Sequence, residues 1–285
     1  MLIQGQRGET MDLGEIINKS GVSLDRTFEM QSRYKDNVIY LTEFDEQNPM
    51  VVAHEFGHYM LDVQRENNLE EFKQIKEKAQ DYFQHSYIYD NYIDDLKRNL
   101  NEIFHQKGKK IMQEEENKIN ELIQNGDVNE LFIMTKKSVL YCYNVRGSYN
   151  EEEIDNITLN IMNSKYFHSF LRENLVQRNA YGRTILEISL DPNTKGMLML
   201  SDLFSSLNDG NYYNFDLPFH HNSDYYEKNE TYSFEEQFAN FTSLKLNGCE
   251  KELEIIKAVL GNEYYEYMND YFQKKIEQVV INKQR

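Results

Sequence analysis

Cysteine is scarce in this sequence, and long apolar runs are missing from it. The two cysteines, Cys142 and Cys249, lie far apart, and neither belongs to a CxxC pair. This usage excludes a disulfide scaffold and a cysteine-based zinc ribbon, and it is typical of a reducing compartment. No window of the sequence approaches the roughly eighteen apolar residues of a transmembrane helix, so we expect no membrane span.

Basic residues are also in short supply. The 285 residues include 31 Lys and Arg against 48 Asp and Glu, which gives a net charge of −17. Neutralising phosphates requires a basic patch, so we expect no nucleic-acid partner. The opening MLIQGQRGETMDLG lacks the basic-then-apolar pattern of a secretory signal. We therefore expect a protein that is cytoplasmic, or that is delivered or secreted without a classical signal peptide.

The pattern of elements predicts an α+β fold that is predominantly helical, with a small sheet. Residues 37–44, NVIYLTEF, predict a strand, and Asn48 and Pro49 then begin a helix that extends to about residue 64. The other predicted elements are a charged helical region at 65–126, an ambiguous helix or hairpin at 129–145, a helix at 152–177, a short strand at 184–190 (TILEISL), a helix at 197–210 and helices from residue 233 nearly to the end.

The predicted helix after Pro49 contains HEFGH, with His54 and His58 four residues apart. Residues i and i+4 share one face of an α-helix, so both imidazoles can bind one cation at roughly 2.0–2.1 Å. Glu55 lies about 100° around the helix, where its carboxylate can reach a metal-bound water without being a ligand. Peptide hydrolysis needs this arrangement, because the metal acidifies the water and a carboxylate takes its proton. Gly57 costs about 1 kcal/mol against Ala, which indicates the close approach of another backbone or a ligand.

The alternative is a pair of surface or core histidines on an amphipathic helix. Chance HExxH matches number on the order of 0.02 per chain of this composition. The preceding strand, the helix cap and the apolar VVA also fit an active-site helix. We therefore favour a metal site.

A catalytic zinc site has three protein ligands and leaves a fourth position for water. No histidine follows at the short spacing of HExxHxxGxxH, where Gln64 stands. Among the remaining histidines, His220 and His221 lie in a predicted loop suited to a site.

A better third ligand lies in TYSFEEQFANFTSL, residues 231–244, which predicts a helix. Glu236, Ala239, Asn240 and Ser243 share one small and polar face of that helix, which can pack against the HEFGH helix. Ser233 and Glu236 also fit a capping box, in which Glu236 would only satisfy the helix start. In that case Glu235 could be the ligand, or neither glutamate.

HEFGH with a distant ExFA glutamate resembles the gluzincin domain of anthrax lethal factor-like peptidases. The later segments LSDLFSSLNDG, HHNSDYY and EEQFANFTSLK are similar to related domains of tailed-phage minor head proteins and bacterial polymorphic toxins. The resemblance covers roughly residues 37–62 and 197–272. It implies a zincin-like metallopeptidase with Zn²⁺ on His54, His58 and Glu236, and with Glu55 as general base.

The same resemblance implies that a tyrosine upstream of the third ligand stabilises the oxyanion. Tyr225, Tyr226 and Tyr232 are in range, of which we favour Tyr226, and His221 can serve the same electrostatic role. Packing of these aromatic residues is the alternative. The family pattern has an acid four residues after the third ligand, where this chain has Asn240; an amide can still accept a hydrogen bond from the ligating imidazole, but it contributes no charge.

These predictions divide the chain into three segments. Residues 1–64 and 191–285 form the catalytic domain, and 65–190 form a long helical insertion that shapes the cleft or binds a protein partner. The function expected is a zinc-dependent endopeptidase of phage, mobile-element or toxin type, acting on a protein or peptide; a regulatory peptidase that cleaves a repressor shares the chemistry. The alternative is a zinc-stabilised structural or interaction module of a phage-related protein with little or no turnover.

Overall fold

The chain is predominantly helical. The computed structural model describes residues 3–4, 10–27, 31–62, 69–85, 87–142, 150–207, 209–210, 221, 223–229 and 231–281. The helices are α1 (Leu13–Ser20), α2 (Pro49–Asp62), α3 (Leu69–His85), α4 (Tyr87–Asn125), α5 (Val128–Cys142), α6 (Glu151–Met162), α7 (Phe167–Leu171), α8 (Gln177–Leu190), α9 (Met197–Leu207), α10 (Ser223–Tyr226), α11 (Tyr232–Leu246), α12 (Glu250–Leu260) and α13 (Asn262–Ile281). None of these described helices combines the length and the apolar character needed to cross a bilayer.

The strands form two small sheets. They are β1 (Ile3–Gln4), β2 (Thr10–Met11), β3 (Ser23–Arg26), β4 (Arg33–Lys35) and β5 (Val38–Leu41). β1 and β2 pair antiparallel, while β5 lies between a parallel β3 and an antiparallel β4. β4 and β5 are joined by Asp36 and Asn37, both at positive φ, as a two-residue hairpin turn requires. The strand predicted at 37–44 is therefore confirmed as the shorter β5, and β4 lies at the edge of the sheet formed by the described strands.

The helix that carries HEFGH begins where the sequence predicts. The Asn48 side chain accepts hydrogen bonds from the backbone N–H groups of Met50 and Val51 at 3.1 and 3.4 Å, and Pro49 occupies the first helical position. Almost every side chain of α2 is buried, which is typical of a helix inside a core. α2 therefore forms a rigid base for the residues it carries.

The small-residue face of α11 packs against α2. A Cβ on Gly57 would stand 2.7 Å from the Cα of Ala239, so the two backbones are in contact at this point. Ser243 Oγ donates to the carbonyl of Met50 at 2.7 Å, which fixes the register between the helices. The close approach expected from Gly57 is confirmed. α9 packs on α11, and its residues from Leu198 to Leu207 are all buried.

Three sequence-based assignments are corrected or resolved by the structure. Residues 184–190 are not a strand, because they form the end of α8; their buried positions, Thr184, Ile185, Ile188 and Ser189, follow the helical period. The ambiguous segment 129–145 is a helix through Cys142, as α5. The single helix predicted at 152–177 is interrupted after Met162; α7 then continues through a π-helix, Arg172–Val176, into α8.

The helical insertion contributes to two apolar cores. Parts of α3, α4 and α8, with side chains such as Phe72, Leu96 and Ile188, belong to the main core around α2, α9 and α11. A smaller cluster, built on Ile119, Leu131 and Leu175 among others, lies within the insertion itself. The insertion is thus anchored in the main core and continues beyond it.

Candidate metal centre

His54, His58 and Glu236 meet between α2 and α11. The His54 Nε2 atom lies 3.2 Å from His58 Nε2 and 3.3 Å from Glu236 Oε2, and His58 Nε2 lies 3.7 Å from Glu236 Oε1. Tetrahedral ligands at 2.0–2.1 Å from one ion lie about 3.3 Å from each other. The three side chains therefore already have the spacing of ligands around a single cation.

A second observation supports the fit of a metal ion. Glu236 is 2% exposed, and its Oε2 atom has no hydrogen-bond partner among the described residues. A buried carboxylate oxygen without a partner costs free energy, which a cation removes. The group is close enough together to hold a metal ion, and two imidazoles with one carboxylate are a donor set that suits Zn²⁺.

The protonation of this group shows how strongly its members interact without a cation. Burial lowers the pKa of His54, but the nearby carboxylate of Glu236 outweighs it and raises that pKa to about 9. Burial lowers the pKa of His58 to about 4. The pKa of Glu236 is lowered overall, because the charges of the histidines outweigh its burial. The raised pKa of His54 favours a proton on that ring in the metal-free site, and metal binding would release it.

Glu55 lies beside this group and lines the same cleft. Its carboxylate is 6% exposed and accepts a hydrogen bond from the backbone N–H of Tyr34 in β4. Burial raises the pKa of Glu55 to about 7, and the charge of His54 only partly opposes that effect. A carboxylate in this range can take up a proton and give it back near neutral pH.

An aromatic stack borders the group on its other side. The His221 ring stacks on Tyr225 with 4.0 Å between ring centroids, and Tyr225 stacks on Tyr232 at 4.8 Å. The Tyr225 hydroxyl donates to Glu236 Oε1 at 2.6 Å, and His221 Nε2 lies 3.6 Å from the same oxygen. His221 and Tyr225 therefore both face the metal centre.

The preference for Tyr226 is not supported by its position. Tyr226 is 5% exposed, its hydroxyl has no hydrogen-bond partner among the described residues, and it does not line the cleft. Successive residues of a helix point about 100° apart, so only one of these two tyrosines on α10 can face Glu236. That residue is Tyr225. His220 lies outside the described residues.

The choice between the two glutamates is clear in the geometry. Glu235 Oε1 accepts a hydrogen bond from Thr231 Oγ1 at 2.6 Å, whereas Glu236 points at the histidines. The capping box considered for Ser233 and Glu236 does not form, because α11 begins one residue before Ser233. Ser233 Oγ instead donates to the carbonyl of Ser206.

Asp202 is the residue of the site that the sequence analysis missed. His54 Nδ1 lies 3.1 Å from Asn240 Oδ1, and Asn240 Nδ2 donates to Asp202 Oδ2 at 2.8 Å. Asp202 is 2% exposed; burial raises its pKa, and the charge of His221 opposes that effect. The sequence does hold a signal, since Asp202 is the one charged residue in the otherwise apolar and small MLMLSDLFSSL of α9.

Asp202, His221 and Glu236 form a second group close enough to hold a cation. Three of their carboxylate oxygens already accept hydrogen bonds, however. The two Asp202 oxygens accept from the His221 backbone N–H at 3.2 Å and from Asn240, and Glu236 Oε1 accepts from Tyr225. The group around His54 and His58 is the better metal site, because its two Nε2 atoms lie 3.3 and 3.7 Å from the Glu236 oxygens, whereas both oxygens of Asp202 already accept hydrogen bonds.

Two spaces adjoin the metal centre. A cleft of about 800 Å³ is lined by His54, His58 and Glu236 and by residues 31–34, which lead into β4. Behind Glu55 lies a smaller cavity of about 160 Å³. Insertion helices contribute Tyr141, Arg178, Tyr181, Gly182 and Ile185 to its wall. The insertion therefore takes part in shaping the space next to the candidate site.

Comparison with known proteins adds no relative to this picture. No family model matches the chain, and neither a curated protein nor a solved structure matches it.

Proposed function

We propose that this protein is a zinc-dependent endopeptidase of the lethal factor-like gluzincin type. The observation that carries the proposal is the spacing of His54, His58 and Glu236, which suits one tetrahedral ion, with the carboxylate of Glu55 beside it. The resemblance of the HEFGH and EEQFANF segments to such domains supports the same reading.

Each residue of the site has a role in this proposal. His54, His58 and Glu236 would hold the zinc, which when bound acidifies a water and polarises the substrate carbonyl. Glu55 takes the proton of the attacking water and passes it to the leaving amine, a task that its pKa of about 7 suits. The Tyr225 hydroxyl, which in the metal-free site donates to Glu236 Oε1, would turn its O–H toward the oxygen that becomes negative, with His221 beside it.

The edge strand β4 supports a peptide substrate. Arg33 and Tyr34 of this strand line the cleft, where an extended peptide could pair with the backbone groups of β4 other than the Tyr34 N–H, which donates to Glu55. The cavity behind Glu55 has about the size that holds one benzene-like ring in a protein core. A bulky side chain next to the scissile bond would fit there.

A purely structural zinc module is the competing function. Structural zinc sites are closed by four protein ligands. Here the three candidate ligands line an open cleft. The buried carboxylate of Glu55 lies next to them, and it forms no ion pair with a Lys or Arg among the described residues. These features favour turnover over a structural role.

The test is zinc content and hydrolysis measured on the same preparations. Elemental analysis of the wild type should give about one zinc per chain. The Glu236→Ala variant should lose it, and Glu235→Ala, the matched control, should keep it. A peptide library incubated with the wild type should be cleaved, and a chelator should stop the cleavage. Zinc without any cleavage would favour the structural module, and no zinc after reconstitution would rule out both functions.

A further inference from the structure

The hydrogen bonds behind His54 continue beyond the residue that replaces the family's acid. Asn240, between His54 and Asp202, is fully buried and touches both. We propose that Asp202 is a positioning residue of the metal centre, which orients the Asn240 amide and supplies the negative charge that Asn240 lacks. This inference rests on the metal centre of the proposed function.

The orientation follows from the chemistry of the three groups. An amide offers one acceptor, Oδ1, and one donor group, Nδ2, whereas a carboxylate only accepts. The contact with Asp202 therefore requires Nδ2 on the Asp202 side and leaves Oδ1 facing His54. Because Oδ1 cannot donate, His54 must carry its proton on Nδ1. Its Nε2 lone pair then points at His58 and Glu236, as a metal ligand needs.

A neutral side chain at position 202 would remove this constraint. An amide there could accept from Asn240 or donate to it, so Asn240 could turn and present Nδ2 to His54. That arrangement places the imidazole proton on Nε2, where it blocks metal binding. The charge of Asp202 thus selects one tautomer of a ligand that it does not touch.

The charge also matters by itself. Glu236 is the only anion among the three ligands, so a divalent cation in this buried group keeps one uncompensated positive charge. Asp202 brings a second negative charge, separated from His54 only by the side-chain amide of Asn240. An anion hydrogen-bonded behind a ligating imidazole raises the basicity of that imidazole. Its other oxygen accepts from the His221 backbone N–H at 3.2 Å, so the same carboxylate also holds the His221–Tyr225 side of the cleft.

The experiment exchanges the two side chains. Zinc dissociation constants are measured by competition with a chromophoric chelator for the wild type, Asp202→Asn, and the double variant Asp202→Asn with Asn240→Asp. In the double variant the new carboxylate accepts directly from His54, and the new amide at 202 donates to it and still accepts from His221. Asp209→Asn is the control, because it removes an acid that pairs with Lys76 instead.

The expected result is zinc affinity about 10- to 100-fold weaker in Asp202→Asn, in line with other partners behind metal ligands. The double variant should return to near the wild-type value, and the control should not change. Thermal midpoints of the metal-free proteins monitor folding; should Asp202→Asn fail to fold, the double variant alone decides. Wild-type affinity in Asp202→Asn, or a folded double variant with weak affinity, would overturn the inference while leaving the metal centre intact. A wild type that binds no zinc would instead remove the proposed function itself.

Discussion

The Cα atom of Ala239 lies 2.7 Å from the point where a Cβ on Gly57 would stand. No other residue type fits at position 57 without moving α2 and α11 apart. These helices carry the two histidines and Glu236, so their separation sets the distance between the candidate ligands.

We predict that Gly57→Ala destabilises the fold and weakens zinc binding together. The gain in helix propensity is about 1 kcal/mol, but overpacking at a buried contact costs about 1–3 kcal/mol and displaces Glu236. Thermal unfolding and zinc titration of the variant measure both effects. Gly108→Ala is the control, because its Cβ would meet only Thr184 Oγ1 at 3.6 Å, so this substitution in α4 should stabilise the protein slightly. Unchanged zinc affinity in Gly57→Ala would show that the distance between α2 and α11 does not control metal binding.

Glu55→Gln should retain zinc and lose hydrolysis by about 10²- to 10⁴-fold. The amide keeps the size of the side chain and can still accept from the Tyr34 N–H. Because burial disfavours the charged carboxylate, the thermal midpoint should stay the same or rise. Zinc content, peptide cleavage and unfolding are compared with the wild type. Cleavage at the wild-type rate would exclude Glu55 as the base.

Tyr225→Phe and Tyr226→Phe form a matched pair with opposite expectations. Tyr225→Phe removes the hydroxyl that faces Glu236, and we expect kcat to fall about 10²-fold with KM nearly unchanged. Tyr226→Phe removes a buried hydroxyl that has no partner among the described residues, so activity should persist and stability should rise by up to about 1 kcal/mol. Steady-state kinetics and thermal unfolding test both. A loss of kcat in Tyr226→Phe alone would return the role to Tyr226.

Ile185→Phe should change substrate preference. Ile185 is nearly buried in the wall of the cavity behind Glu55, and a larger ring there fills part of its volume. Cleavage sites with a bulky residue beside the scissile bond should lose about 10- to 200-fold in kcat/KM against sites with a small one. Peptide-library cleavage profiles provide the measurement. Leu190→Phe, on the exposed end of the same helix, is the control and should leave the profile unchanged.

The HEFGH helix could be predicted because its signals are local. Asn48, Pro49 and the four-residue spacing of the histidines lie within one short segment, and the structure places all of them as expected. Glu236 could be proposed from the small-residue face of its own helix. The strands before residue 37 could not be predicted, because they are only two to four residues long and take their conformation from the strands they pair with. The end of α8 could not be predicted either, because its conformation depends on a partner far along the chain. Residues 184–190 are rich in β-branched residues, yet packing on α4 makes them helical.

The remaining parts of the site depend on side-chain direction. Tyr225 and Tyr226 are neighbours of the same residue type, and only the rotation of a four-residue helix decides which one meets Glu236. Asp202 belongs to α9, far in sequence from both Asn240 and His54, and only the packing of α9 on α11 brings it to them. A charged residue in an apolar helix indicates a buried partner without showing which one.

The two histidines and Glu236 are separated by about 180 residues of chain. A metal held by all three would act as a reversible cross-link that closes this long loop, most of which is the helical insertion. Closing so long a loop is entropically costly, so such a link can form only after much of the intervening chain has folded. Tight zinc binding would then report the folding of the whole chain, and an unfolded chain, left with two histidines four residues apart, would hold the ion weakly.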